Sequence, residues 1–222
     1  GVTAENLVEK YGISREDQDE FAAWSQFKAA AARENGRLGK EIVSVEIPQR
    51  KKDSIFFSQD EFIRPGSTVE VLAKLRPAFK KEGGSVTAGN SSGLNDGAAA
   101  LLLASEDGCK IHGLTPKARI LSSAVVGVEP RLMGIGPVEA TRKALKRAGL
   151  TLDDMDILEM NEAFSAQILS CSRELGLEDN DVRINPNGGA IAIGHPLGMT
   201  GARMLNTAAI ELHEQNKKYA LV

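Results

Sequence analysis

The chain has 222 residues, of which 42% are hydrophobic and 26% charged, as in an ordinary globular protein of one large domain or two small ones. A net charge of −3 argues against a general nucleic-acid binder, and no apolar run is long enough for a membrane span. The two cysteines, Cys109 and Cys171, make no disulfide framework, which favours a cytoplasmic protein. Cys109 and His112 alone are too few ligands to predict a metal site.

The N-terminal part of the chain is predicted to be helical. Ser14 and Asp17 have the spacing of a capping box at the start of a long helix. Apolar and polar residues alternate over 42–47, which predicts a half-buried strand. We expect residues 54–64 to be irregular and residues 68–75 to form a short helix after a Pro-Gly turn.

Residues 85–105 are rich in small side chains. They predict a strand at 85–88, a segment of Asn, Ser and Gly, and a second strand at 98–103, chosen over a helix for its short length. Small polar residues between buried strands suit a narrow ligand channel. The same composition is equally typical of a plain turn, so both interpretations stay open.

The pattern changes near residue 115 to alternating strands and helices, which predicts a layered α/β sheet. The predicted strands are 118–128, 155–160, 182–184 and a last one from about Tyr219, and the predicted helices are 137–148, 162–175 and one from Met199 or Thr200 to about Asn216. An apolar strand at the last residues, and a first residue other than methionine, favour the hypothesis that the sequence is a piece of a longer protein.

Two polar residues stand out at the ends of predicted strands. His195 lies between Gly194 and Pro196, and the proline keeps it out of a helix. The following helix directs its positive end towards His195, which favours a neutral imidazole able to accept a proton. Asn161 follows another strand, and its alternative role is to cap the next helix. Because ligands of such sheets bind beyond the C-terminal strand ends, we expect the two side chains to face one crevice.

Three stretches together resemble the thiolase family, and their order and spacing agree with it as well. They are Ala88–Gly97 (AGNSSGLNDG), Asn161–Phe164 (NEAF) and Gly188–Gly198 (GGAIAIGHPLG), with a weaker match at Leu75–Phe79. The resemblance covers essentially the whole chain and is greatest to biosynthetic acetyl-CoA acetyltransferases.

The resemblance implies an α/β thiolase fold, with α-β-α-β-α layers and an inserted loop domain. On that template residues 1–93 are the loop domain, residues 94–115 return to the N-terminal half, and residues 116–222 are the C-terminal half without its last strand. The family's acyl-accepting cysteine and its CxG cysteine have no counterpart in this sequence. We therefore expect the chain alone to be inactive.

The resemblance also implies the chemistry and the site. Thiolases condense two acyl-CoA molecules or cleave a 3-ketoacyl-CoA, so His195 is expected to be the base and an oxyanion donor, and Asn161 to hold a water. The positions that match CoA-contacting residues are Arg64 at the nucleotide phosphates, Ala88 and Ser92 at the pantetheine arm, and Phe79, Ala163 and Phe164 along the channel.

Further expectations concern partners. Coenzyme A thioesters are the expected substrates, with no cofactor, no metal, no nucleic acid and no membrane. The family's dimers and tetramers imply a homodimer or homotetramer. Two alternatives remain: a β-ketoadipyl-CoA thiolase, which shares the GHPLGMTGAR variant, and a non-catalytic CoA-binding or assembly piece that needs a partner chain.

Overall fold

The structure is a computed structural model that describes residues 1–222. The helices are α1 Val2–Tyr11, α2 Arg15–Glu34, α3 Val69–Leu72, α4 Glu106–His112, α5 Gly136–Ala148, α6 Ser165–Glu174, α7 Ala190–Ile193 and α8 Leu197–Glu214, with 3-10 turns at Leu38–Lys40 and Pro130–Ile135. The strands are β1 Val45–Ile47, β2 Ile55–Phe57, β3 Ile157–Leu158 and β4 Ala220–Leu221. None of the helices is both long and apolar enough to cross a membrane.

The predicted capping box at the start of α2 is confirmed. The Ser14 hydroxyl accepts from the Asp17 backbone N–H at 2.9 Å, and the Asp17 carboxylate accepts from the Ser14 N–H at 3.3 Å. The helix then runs for 20 residues and buries Phe21 and Ala22 on one face. The capping box therefore fixes where the longest helix begins and which face it turns to the core.

The main hydrophobic core lies between α2, α6 and the β3–β4 pair. Its buried residues are Ile13, Phe21, Ala22, Leu72, Met155, Leu158, Ile168, Leu169, Leu177, Ile184 and Ile191. The cluster includes residues from both halves of the chain, so burial of apolar surface holds the first helices against the C-terminal α/β part.

A small parallel sheet positions the site. Strands β3 and β4 pair with Ile157 opposite Ala220 and Leu158 opposite Leu221. Leu158 also forms a parallel bridge with Ile184, on its other side. Because β3 and Ile184 run parallel, the chain leaves both at the same edge of the sheet, and the segments that carry Asn161 and His195 follow there.

The strand predicted at 42–47 is confirmed over Val45–Ile47, but its predicted half-burial was wrong, and the segment 54–64 predicted to be irregular contains a strand. Strands β1 and β2 form an antiparallel hairpin within those ranges, and all six of its residues are exposed. The alternation predicted the strand correctly and its burial wrongly, because the hairpin packs on no second layer. The short helix predicted at 68–75 is confirmed only over Val69–Leu72, with Thr68 as its N-cap.

The strands predicted at 85–88, 98–103 and 118–128 are absent. No backbone–backbone hydrogen bond involves residues 94–104 or 118–128, so these segments lack the neighbour that defines a strand. At 85–87 the acceptors of the backbone N–H groups are side chains instead of a neighbouring strand. The Glu5 carboxylate accepts from the N–H groups of Ser85 and Val86 at 2.9 to 3.2 Å.

Residues 100–104 and 117–126, which include much of two of these segments, line a cavity of about 2010 Å³. Residues of α5, α8 and β4 complete its wall, and most of the lining side chains are apolar. Leu102, Leu103 and Val125 are exposed there to between 73% and 85%. The apolar pattern that predicted strands thus faces an open groove beside the small parallel sheet.

The capping box gives a direct test of the helix start. We expect Ser14→Ala to lower the free energy of unfolding by about 1 kcal/mol, because the N–H of Asp17 loses its acceptor. Urea denaturation followed by circular dichroism measures the change. Ser58→Ala is the control, since Ser58 is exposed and outside a helix. An equal effect of the two substitutions would contradict the role of the cap.

Candidate active site

Two short segments hold the backbone at His195. Its N–H donates to the carbonyl oxygen of Gly93 at 3.2 Å and to the Asn95 side chain at 3.3 Å. Gly194 has a φ of 94°, and a Cβ there would lie 2.5 Å from the Asn95 carbonyl oxygen. The residue before the histidine must therefore be glycine, both for its backbone angle and for this close approach.

The imidazole of His195 lies directly before a long helix. The small apolar run predicted before it forms the one-turn helix α7, and α8 starts at Leu197, slightly earlier than predicted. His195 itself is outside both helices, as predicted from Pro196. Its ring is half-buried, with one nitrogen turned towards α8 and the other towards Asn161.

The structure brings Asn161 to His195. The Nδ2 atom of Asn161 lies 3.3 Å from Nε2 of His195, although the residues are 34 positions apart. The alternative that Asn161 caps the next helix was wrong, because α6 begins at Ser165 with Phe164 in the N-cap position. The Asn161 carbonyl oxygen is buried and has no hydrogen-bond partner. The carboxamide thus faces the imidazole with its other end unpaired.

The charges around His195 favour its neutral form. Burial lowers the pKa of His195 below its usual value, and the positive charge of Arg203 lowers it further. Arg203 is itself paired with Glu159, whose Oε2 lies 3.2 Å from Nη1. Burial raises the pKa of Glu159 to about 7. A neutral imidazole was predicted from the helix dipole. The lowered pKa agrees with that prediction, but its causes here are burial and the charge of Arg203.

A buried carboxylate missed by the sequence analysis ties the site together. Glu162 accepts from the Ser25 hydroxyl at 2.6 Å, from Asn185 Nδ2 at 2.7 Å and from the Ile191 N–H at 3.2 Å. A Cβ on Gly189 would lie 2.3 Å from the carboxyl carbon, so only glycine fits there. A charged residue amid small and apolar neighbours was the available signal, because such a group is buried only with partners.

A buried lysine lies beside this carboxylate. Lys28 of α2 donates to the Ile184 carbonyl oxygen at 2.8 Å, and its Nζ is 3.3 Å from the centre of the Trp24 ring. Burial lowers the pKa of Lys28 to about 8, although the charges of Glu162 and Glu159 oppose the shift. The ammonium group is enclosed by an aromatic face, a carbonyl oxygen and acidic neighbours, which are favourable surroundings for a cation.

Four of the predicted binding residues meet in one place. The Ser92 N–H and hydroxyl both donate to the Ala163 carbonyl oxygen, at 3.0 and 3.2 Å. The rings of Phe79 and Phe164 meet edge to face with centres 6.0 Å apart. Ser92 directly precedes Gly93, which binds the His195 backbone. The Ser92–Ala163 contact is therefore joined through Gly93 to the backbone of His195.

The other two predicted binding residues lie further out. Arg64 is exposed and in no ion pair, and its guanidinium is 5.2 Å from the Phe62 ring. Its backbone N–H donates at 2.8 Å to Gln26, which in turn donates to the Ile191 carbonyl oxygen. Ala88 is exposed in the segment before Asn90. Neither residue contacts His195 or Asn161 by hydrogen bond.

The cysteines do not contribute a reactive thiol at the imidazole. Cys171 is fully buried in α6, and its thiol donates to the Gly134 carbonyl oxygen at 3.2 Å. Burial raises the pKa of this thiol to about 12, so it stays protonated at neutral pH. Cys171 therefore acts as a small buried side chain in the packing of α6.

Removal of the Glu162 carboxylate is expected to destabilise the protein. Glu162→Ala leaves three buried donors without an acceptor, so the free energy of unfolding should fall by about 3 kcal/mol or more. Urea denaturation measures the loss. Glu178→Ala, at an exposed position, is the matched control and should change little. A loss below 1 kcal/mol for Glu162→Ala would show that the carboxylate does not hold these segments.

His195 is expected to titrate with a lowered pKa, and this shift should make the stability of the protein depend on pH. Because its folded pKa is lowered, protonation favours the unfolded chain, and stability should fall as pH drops from about 6.5 through the folded value. Proton NMR of the imidazole measures the pKa directly. His195→Gln assigns the signal and should also remove this part of the pH dependence of stability. A His195 pKa at or above that of the urea-unfolded chain would contradict the electrostatic analysis.

Comparison with known proteins identifies the family of the chain. The family model "Thiolase, N-terminal domain" matches residues 1–107, and "Thiolase, C-terminal domain" matches residues 114–222. A β-ketoadipyl-CoA thiolase of Acinetobacter baylyi is 55% identical over 219 residues, which is 99% of this chain and 54% of that protein. An acetyl-CoA acetyltransferase of Pseudomonas aeruginosa is 56% identical over 221 residues, which is 100% of this chain and 56% of the relative.

Solved structures give the same result. The chain superposes on the acetyl-CoA acetyltransferase of Bacillus anthracis with a TM-score of 0.93 and 48% identity, over 98% of this chain and 54% of that one. The chain superposes on the human mitochondrial 3-ketoacyl-CoA thiolase with a TM-score of 0.93 and 48% identity, over 99% of this chain and 54% of that one. The chain thus spans about half the length of the relatives it matches, and the predicted α/β thiolase fold is confirmed. The chain belongs to the thiolase family.

Proposed function

We propose that this chain carries the imidazole base and part of the coenzyme A site of a thiolase, an acyl-CoA C-acyltransferase. The reaction is the Claisen condensation of acetyl-CoA or, in reverse, thiolysis of a 3-ketoacyl-CoA. The observation that carries the proposal is the contact between His195 Nε2 and Asn161 Nδ2, 3.3 Å apart. Both residues follow the C-terminal ends of parallel strands, where ligands of such sheets bind.

The chemistry of the pair fits a thioester reaction. A neutral imidazole takes the proton of a thiol, and the thiolate then attacks the acyl carbon. The thioester oxygen gathers negative charge, which the protonated Nε2 stabilises together with a water held by Asn161. The buried carbonyl oxygen of Asn161 has no protein partner and is free to accept from such a water. In this proposal the reacting cysteines belong to the part of the relatives outside these 222 residues.

The coenzyme A arm is proposed to run along the Ser92–Ala163 contact. Ser92 and Ala88 would touch the pantetheine, while Phe79, Ala163 and Phe164 would line the channel. The edge-to-face pair of Phe79 and Phe164 supplies an apolar wall next to polar backbone groups. Arg64 would face the nucleotide phosphates, and its exposed guanidinium, in no ion pair, supports that role.

A second candidate differs only in the acyl group. Relatives named β-ketoadipyl-CoA thiolase, from Acinetobacter baylyi, are 55% identical to this chain, almost as much as the Pseudomonas aeruginosa acetyl-CoA acetyltransferase at 56%. A ketoadipyl group ends in a carboxylate, so its binding would need a cation or donors at the acyl end of the channel. Cleavage of acetoacetyl-CoA measured beside ketoadipyl-CoA separates the two candidates.

The test is a chimeric enzyme. In the Pseudomonas aeruginosa relative the matching residues are replaced by this chain, so that the relative supplies the rest of a thiolase. We expect the chimera to cleave acetoacetyl-CoA, and His195→Ala to lower kcat by about 100-fold or more through loss of the base. Asn161→Ala should cost on the order of 100-fold as an oxyanion-stabilising group is lost. The assay is the absorbance of the 3-ketoacyl-CoA enolate.

Two controls make the result specific. His213→Ala and Asn180→Ala alter exposed residues of the same types and should leave kcat unchanged. A folded chimera with normal rates in His195→Ala would overturn the assignment of the base. A chimera that binds coenzyme A but turns over no thioester would favour the non-catalytic binding or assembly piece.

The remaining proposals concern the setting of the enzyme. We propose a homodimer or homotetramer that acts in the cytoplasm, uses coenzyme A thioesters as substrates and requires no cofactor. The free thiols of Cys109 and Cys171 fit a reducing compartment. Light scattering of the chimera measures its mass in solution, and full activity after dialysis against a chelator tests for independence from metal ions.

A further inference from the structure

The side of His195 that faces away from Asn161 is held by a threonine. Nδ1 of His195 lies 2.7 Å from Oγ1 of Thr200, in the first turns of α8. Thr200 is 4% exposed, so water does not compete for this contact. Its hydroxyl is also 3.0 Å from the carbonyl oxygen of Pro196, to which it donates.

Counting protons along this chain of contacts fixes the histidine tautomer. A hydroxyl group has one proton, and the proton of Thr200 points to the Pro196 carbonyl oxygen. At the other contact Oγ1 must therefore accept, so the proton between it and the imidazole is on Nδ1. A neutral imidazole has only one N–H, which leaves Nε2 with a lone pair.

The contact on the opposite side of the ring agrees. Nε2 faces the Nδ2 atom of Asn161, which can only donate, at 3.3 Å. If Nε2 carried the proton, two donors would face each other, and Thr200 would have to turn its hydroxyl away from Pro196. The contacts on both sides of the ring therefore select the same tautomer.

The Thr200 hydroxyl is not required to complete the helix. The carbonyl oxygen of Pro196 already accepts from the N–H groups of Met199 and Thr200 at 2.9 and 3.0 Å. The Pro196 carbonyl oxygen therefore has two donors without the Thr200 hydroxyl. The other hydrogen-bond partner of that hydroxyl is the imidazole of His195. This separates a role at His195 from a purely structural role in α8.

We propose that Thr200 is a positioning residue that holds His195 as the Nδ1–H tautomer and so leaves Nε2 ready to accept a proton. The significance for catalysis depends on the proposed thiolase function, because a general base must present a lone pair to its substrate. The tautomer is inferred from the contacts of His195 without reference to catalysis, and it can be measured in this chain without any turnover.

The experiment is nitrogen-15 NMR of histidine side chains. The chain has three histidines, at 112, 195 and 213, and the signals of His195 are identified by their loss in His195→Gln. At a pH above the imidazole titration, wild type should show the proton of His195 on Nδ1. Thr200→Ser keeps the hydroxyl and should retain this tautomer. Thr200→Val removes the hydroxyl and should shift the imidazole of His195 to a mixture of the Nδ1–H and Nε2–H tautomers.

The same variants in the chimera give an independent readout. Thr200→Val should lower kcat about 10- to 100-fold, as is usual when the partner of a functional imidazole is removed, with KM little changed and with rescue by Thr200→Ser. A wild-type His195 with its proton on Nε2 overturns the proposal even if Thr200→Val fails to fold. So does a folded Thr200→Val with unchanged tautomer. A chimera without activity would refute the proposed function but leave the NMR result intact.

Discussion

The buried carboxylate of Glu162 is the contact on which the arrangement of the site depends. It accepts hydrogen bonds from α2, from the segment after Ile184 and from α7, so three parts of the chain that are distant in sequence converge on one side chain. Asn161 is the preceding residue, and α7 leads directly to His195. The carboxylate thereby sets the distance between the two side chains that define the site. Such a group is tolerated in the interior because each of its neighbours is a donor.

Other buried charged residues lie near Glu162, and one of them is in an ion pair. Lys28 lies near Glu162 and Glu159, and Glu159 is paired with Arg203. Burial is the main cause of the lowered pKa of His195, and the charge of Arg203 lowers the pKa further. A base that remains neutral at physiological pH follows from this surrounding structure, with no single residue responsible for it.

Local patterns predicted the helices well and the strands poorly. The capping box of α2 and the proline and glycine that bound α5 satisfy backbone groups within a few residues, so they are readable from sequence. A strand needs a partner that can be far along the chain. Residues 118–128 have a strand-like pattern but no backbone–backbone hydrogen bond, so they form no strand. Leu158 pairs with Leu221 on one side and Ile184 on the other, and it lies in a strand. Which apolar segment gains a partner depends on the fold as a whole.

The site, too, was predictable only where local sequence patterns determine it. His195 is marked by Gly194 and Pro196, whose backbone preferences act locally. Glu162 stands out in the sequence only as a charge amid small and apolar residues, and Thr200 not at all, because the roles of both arise from partners that folding brings to them. The resemblance to thiolases supplied the binding residues that no periodicity indicated.

The position of Asn161 shows how one tertiary contact decides between two local interpretations. As an N-cap, Asn161 would have begun α6 at once. Phe164 instead pairs with Ser91 in an antiparallel bridge, and its φ of −149° and ψ of 141° are those of a strand. The Ser92 N–H donates to the Ala163 carbonyl oxygen in the same contact and so helps to keep Phe164 extended. The contact that delays the helix also turns the Asn161 carboxamide to His195 and places Phe164 against Phe79. The small polar segment 89–93 therefore shapes the site through its backbone, by preventing a helix where one would otherwise begin.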